Sequence, residues 1–136
     1  MKIRIETRIA APLATVWKAY VTPDDIVKWN AASDDWHTTR STVDLKVGGN
    51  FSSRMEAKDG SFGFDMEGTY TEVVPEQRLA FAMPDGRQVA VDFVQDGDAV
   101  VVTTVFDAED QNPAEMQQQG WQAILDNFGR HVLTKA

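Results

Sequence analysis

The chain has 136 residues, 43% hydrophobic, 25% charged and 10% aromatic; this length suits one domain over residues 1–136 with a single sizeable core, and the composition is far from disordered or collagen-like extremes. Thirteen basic against 21 acidic residues give a net charge of -8, which repels phosphate backbones and anionic lipid and argues against nucleic acid as a partner. The absence of cysteine excludes disulfides, thiolate catalysis and cysteine-ligated zinc.

The N-terminal "MKIRIETRIA" alternates from its second position, placing Ile3, Ile5, Thr7 and Ile9 on one face of a half-buried strand. It lacks the apolar core of a leader, and no apolar run in the chain is long enough for membrane insertion, so the expected location is the cytoplasm. Pro12 suits a first helical position, and Leu13, Val16, Trp17 and Tyr20 follow at helical spacing. "TPDD" restarts a helix, with Thr22 as N-cap, Pro23 in the first turn and Asp24 and Asp25 where the helix dipole favours negative charge.

From about Trp36 to Asp107 the period is two, broken by "VGGN", "KDGS", "VPEQ", "PDGR" and "QDGD". These signals predict a meander of antiparallel strands, the Asp-Gly pairs supplying the positive φ of tight hairpins. Phe51, Ser53 and Met55 share one face, as do Phe62, Phe64, Met66 and Tyr70, and Val89, Val91 and Phe93. The final segment opens with Asn112 as cap, Pro113 at the first position and Glu115 at the third; Trp121, Ile124, Leu125, Phe128 and Val132 then recur at helical spacing. Gly120 inside this helix points to close backbone approach.

The stretch "NAASDDWH", from Asn30 to His37, gathers two carboxylates, a tryptophan and a histidine. Asp34 and Asp35 diverge as sequence neighbours and need ligands from elsewhere to hold a metal, so no metal site is assigned and turn chemistry accounts for them. His37 follows Trp36 on a strand, so only one of the two faces inward unless a bulge intervenes. Arg54 pairs with Glu56 or Asp65 either on the solvent face, opposite Met55 and Phe64, or as a buried pair orienting a polar ligand group. His131, near the end of the last helix, complements the helix dipole.

Taken in order, "APLATVWKAYVTPDDIVKW", "DLKVGGNF", "RMEAKDGSFGFDMEGTYTEVVPEQRL" and "GWQAILDNF" resemble the SRPBCC, or START-like, superfamily and its branch of homologues of the heat-shock protein 90 ATPase activator (AHSA-like). The resemblance covers essentially the whole chain. It implies an α+β helix-grip (Bet v 1-like) fold, with a curved antiparallel sheet wrapped around a long C-terminal helix and two short helices after the first strand. It also implies a cavity between sheet and helix for a small apolar or aromatic ligand; no cofactor is expected.

In that frame the candidate ligand-binding residues are Trp29, Trp36, His37, Phe51, Met55, Phe64, Met66, Gln117 and Trp121, with His37 and Gln117 as polar anchors. The same apolar side chains can instead simply fill a core. Two other functional readings stand beside ligand binding. One is a polyketide cyclase or hydratase in which His37, Asp35 and Arg54 handle protons; the other is a co-chaperone or stress-response domain acting through chaperone or homodimer contacts.

Overall fold

The computed structural model describes residues 1–135; the last residue of the expected domain lies outside the described residues. In chain order the elements are β1 (Lys2–Ile9), α1 (Leu13–Val21), α2 (Pro23–Trp29), β2 (Trp36–Val43), β3 (Asn50–Ala57), β4 (Gly63–Val74), β5 (Arg78–Ala82), β6 (Gln88–Asp96), β7 (Ala99–Asp107) and α3 (Ala114–Leu133). The strands form one antiparallel sheet in the order β1-β7-β6-β5-β4-β3-β2. Each strand from β2 to β7 therefore pairs with the next, and the two short helices carry the chain from β1 at one edge to β2 at the other. The architecture is α+β, the helix-grip arrangement that the sequence resemblance implies.

Local sequence accounts for these elements. In β1 the alternate residues Ile3, Ile5 and Ile9 are buried, and the three Asp-Gly turns place Gly60, Gly86 and Gly97 at φ of 79°, 92° and 63°, a region that side chains disfavour. Register shifts between Thr38 and Arg40 in β2 and between Tyr70 and Glu72 in β4 add the local bending that lets a sheet coil around a helix.

The helix starts differ from the sequence expectation. Pro12 and Pro113 stand one position earlier than predicted, at the N-cap, with extended ψ of 145° and 143°. Their carbonyls accept the first helical bonds, from Val16 at 3.0 Å and Gln117 at 3.2 Å. Thr22 and Pro23 take the predicted cap and first-turn positions, but the Thr22 side chain makes no capping bond. Asn112 is no cap either; its side-chain amide donates to Glu109 Oε1 at 2.9 Å.

α3 lies along β1. The Gln122 side-chain amide donates to the Glu6 carbonyl at 3.0 Å, and that of Gln118 to the Arg4 carbonyl at 3.4 Å, covering part of an edge strand that would otherwise offer free carbonyls. The close approach occurs at Gly129, where an added Cβ would sit 3.6 Å from Ile9 and 3.7 Å from Thr7. Gly120, the predicted position, has nothing within 4 Å of such an atom. The largest fully buried side chains, Phe106, Phe128, Ile9, Val16, Val91, Val100, Val102 and Val132, all belong to β1, β6, β7, α1 and α3.

A second tie joins the helices. His131 Nε2 of α3 lies 2.9 Å from Asp25 Oδ1 of α2, and Lys135 Nζ lies 2.8 Å from the same oxygen. The Asp25 side chain is only 8% exposed. Burial pushes its carboxyl pKa up, but hydrogen bonds from Lys135 and His131 outweigh this, and the net shift is downward. His131 is structural as expected, with Asp25 as its specific partner.

Candidate ligand cavity

Because α3 packs on β1, α1 and α2, and α2 in turn on β2, the concave face of β3 to β5 is left with no helix packed directly against it. The space between them is a cavity of about 750 Å³, within the roughly 300–1,000 Å³ typical of small-molecule sites. Its sheet wall comprises Phe51, Ser53 and Met55 of β3, Phe64, Met66 and Tyr70 of β4, and Leu79 and Phe81 of β5. Opposite them stand Trp121, Ile124 and Leu125 of α3, Tyr20 of α1, and Ile26 and Trp29 of α2, followed by Asn30. Exposed Phe64, Asp65, Glu67, Pro84 and Asp85 also line it, placing the mouth between β4 and the β5–β6 hairpin.

Several aromatic side chains are locked in place. The Trp29 indole N–H donates to the Ala19 carbonyl at 3.0 Å, so its polar atom is occupied and its ring serves as an apolar wall. Trp121 stacks on Phe106 with centroids 3.9 Å apart and planes at 8°. Phe51 meets Phe81 edge-on at 4.7 Å and Tyr70 at 5.3 Å. Gly68 makes room for that ring, since a Cβ there would fall 2.5 Å from Phe51 Cε2.

The polar groups of the cavity interior are neutral. Burial, with a smaller push from the neighbouring Tyr70, raises the Tyr20 phenol well above its ordinary value, and burial pushes Tyr70 up to about 12. Both remain protonated at neutral pH and can donate hydrogen bonds. Asn30 and Thr104, at 8% and 3% exposure, add an amide and a hydroxyl to the lining.

Of the nine residues predicted from sequence, the structure brings six to the cavity wall: Trp29, Phe51, Met55, Phe64, Met66 and Trp121. Trp36, His37 and Gln117 lie outside the lining. Trp36 shares the concave side with Met55 and Phe64 through the register, but it stands at the strand start, against Phe62 and Phe64 with centroids 6.0 Å away. His37 pairs with Glu56 on the opposite face. Gln117 lies in the first turns of α3, where its amide donates to the carbonyls of Glu109 at 3.0 Å and Asn112 at 2.8 Å and accepts from the Glu109 N–H at 2.9 Å. It clamps the β7–α3 connection, and its hydrogen-bonding capacity is spent there.

The cyclase constellation is not assembled either. Arg54 pairs with Glu56 at 3.0 Å and Asp65 at 3.6 Å on the solvent side. Asp35 sits in an exposed turn bonded to the Ser33 hydroxyl, and neither lines the cavity with His37. Among the described residues no three His, Cys, Asp or Glu side chains converge to hold a metal. Sequence reading missed Tyr20, Asn30 and Thr104 as lining residues. Helical spacing marked Tyr20 as apolar-facing, but nothing local marked Asn30 or Thr104.

The family profile described as "Activator of Hsp90 ATPase homolog 1-like protein" matches residues 10–132. Among solved structures, the chain is similar to the AHSA1-like protein of Aeromonas hydrophila, with 52% identity over 99% of this chain and 94% of that one and a TM-score of 0.93. It is similar to a Cytophaga hutchinsonii protein at 40% identity, covering 98% and 93% of the two chains, with a TM-score of 0.85. A Nitrosomonas europaea protein, 19% identical over 100% and 96% of the chains, shares the fold with a TM-score of 0.87. Comparison with curated proteins gives no match.

Proposed function

Since the chain belongs to the family of activator of Hsp90 ATPase homolog 1-like proteins, we propose that it acts as a single domain over residues 1–136 that binds a small apolar or aromatic molecule between sheet and C-terminal helix. The observation that carries this reading is the cavity of about 750 Å³, walled by Trp29, Phe51, Met55, Met66, Phe81 and Trp121. Methionine supplies an adaptable surface and the aromatic rings a large apolar one. The proposed setting is the cytoplasm, with no nucleic acid and no membrane insertion; among the described residues no helix is long and apolar enough to cross a membrane.

Titration with a panel of acyl and polycyclic compounds tests the reading. A ligand at 100 times its Kd stabilises a fold by about 2.7 kcal/mol, so the melting temperature rises and, with two of the four tryptophans in the wall, emission changes. Unchanged melting and emission across the panel would overturn it.

A second reading, contact with a chaperone, draws on the family description and on Phe62 and Phe64, which are 61% and 42% exposed beside Trp36. Stimulation of a purified Hsp90 ATPase that is lost on Phe62→Ser would support it, and no stimulation would remove it.

A further inference from the structure

Five buried or half-buried uncharged polar side chains line the cavity interior; Ser53 of β3 shares a hydrogen bond with Ser41 at 3.3 Å, and the other four come from different elements: Tyr20 of α1, Asn30 after α2, Tyr70 of β4 and Thr104 of β7. The backbone of Asn30 is fully engaged, its N–H donating to Ile26 at 3.0 Å and its carbonyl accepting from Thr38 Oγ1 at 2.7 Å. Its side-chain amide has no protein partner among the described residues, and neither do the hydroxyls of the other three. Yet no occluded side-chain nitrogen or oxygen lacks a partner among the described residues. Both statements hold together because these amide and hydroxyl groups open onto the cavity, where a ligand can satisfy them.

Charge is distributed in the opposite way. Among the described residues the interior wall has no Lys, Arg or His; Arg87, at the mouth, is the one cation of the lining, and it pairs with Asp85 at 2.7 Å. Asp65 and Glu67 border that mouth from the opposite face of β4, where Asp65 pairs with Arg54 at 3.6 Å, and the chain carries a net charge of -8. A carboxylate entering here approaches a net negative molecule and finds no cation inside to offset its lost hydration.

We propose that the cavity selects neutral ligands, an apolar or aromatic skeleton carrying an alcohol, phenol, ketone or amide, over carboxylates of the same skeleton, with Asn30, Tyr20, Tyr70 and Thr104 as the hydrogen-bonding anchor. This rests on the ligand-binding reading above and adds the chemistry of the head group. Amide and hydroxyl together donate and accept, so the anchor suits a head group of either kind. The apolar remainder of the ligand then lies against Phe51, Met66 and Trp121.

The test is a chemical-shift titration of the nitrogen-15-labelled protein at pH 7 with 2-naphthol, 2-naphthoate and naphthalene. The expected result is 2-naphthol binding about tenfold or more tighter than 2-naphthoate, with the Asn30 side-chain amide resonances moving for 2-naphthol and not for naphthalene. Tyr70→Phe, which keeps the ring, and Asn30→Leu each weaken 2-naphthol binding about three- to tenfold, the loss of one hydrogen bond, and weaken it more than they weaken naphthalene binding. Should 2-naphthoate bind as tightly as 2-naphthol, or should both variants bind 2-naphthol like the parent, the head-group assignment is overturned while the cavity reading stands. Binding of none of the three probes removes both.

Discussion

The two halves of the sheet follow the same alternation and meet opposite fates. In β1, β7 and β6 the inward residues Ile9, Val91, Val100, Val102 and Phe106 are almost wholly buried under α1 and α3. In β2, β3 and β4 the burial is patchy: Phe51 and Met66 are half-buried and Phe64 is exposed. The difference lies in cover rather than in strand pattern. α3 is long enough to close one half and is held there by Gln118 and Gln122 on the β1 backbone, so the other half keeps a cavity. Hydrophobic side chains on a strand thus serve as core or as binding wall according to what the far end of the chain lays over them.

The comparison breaks most directly by truncation. Phe128→Ala in the closed half should cost about 3–5 kcal/mol in urea unfolding, and Met66→Ala in the open half under about 1 kcal/mol, because Met66 already borders empty space. Equal losses would mean that the two halves are equally packed. Filling provides the converse. Ser53→Met should leave stability within about 1 kcal/mol while abolishing ligand binding, whereas Val91→Phe, in a site with no spare room, should cost about 1–3 kcal/mol.

The tie between α2 and α3 sharpens the comparison at its seam. Asp25→Asn should cost about 1–2 kcal/mol at pH 7, less than the roughly 3–5 of a fully buried pair, because Lys135 is 42% exposed. The Asp25 carboxyl is depressed in the folded protein, so its contribution is complete above the unfolded value near pH 4 and fades as pH falls through the folded value. Denaturation of parent and variant should therefore converge in strong acid. A gap that does not narrow as pH falls below about 4 would remove the carboxylate from the account. The smallest expected effect is that of Arg54→Ala on the convex face: no change in ligand affinity by titration, whereas a loss would bring the Arg54, Glu56 and Asp65 cluster back into the site.

Much of this was legible locally. Ile3, Ile5 and Ile9 announced β1, the Asp-Gly pairs the hairpins, and Trp121, Ile124, Leu125 and Phe128 the apolar stripe of α3. Alternation gives a side chain's face but not its position along the strand relative to the cover, which is why Trp36 points to the concave side yet stands beyond the cavity's end. Gln117 failed for a related reason: it precedes the stretch of α3 that reaches the cavity, and its amide serves its own loop. Asp25 read as a charge in a favourable first turn, and its partner His131 is remote in sequence. The sequence points to Gly120 as the contact glycine, but the pairing of α3 with β1 puts Gly129 there instead.

The pairing of β1 with β7 also fixes an order of assembly. Lys2 meets Asp107, so β1 pairs with a strand made only after the rest of the meander. The hairpins from β2 to β7 close over short loops and can form as they emerge. The first strand must wait for β7, and α3, which seals it, is made later still. Until β7 and α3 are made, Ile3, Ile5 and Ile9 lack the partners that bury them.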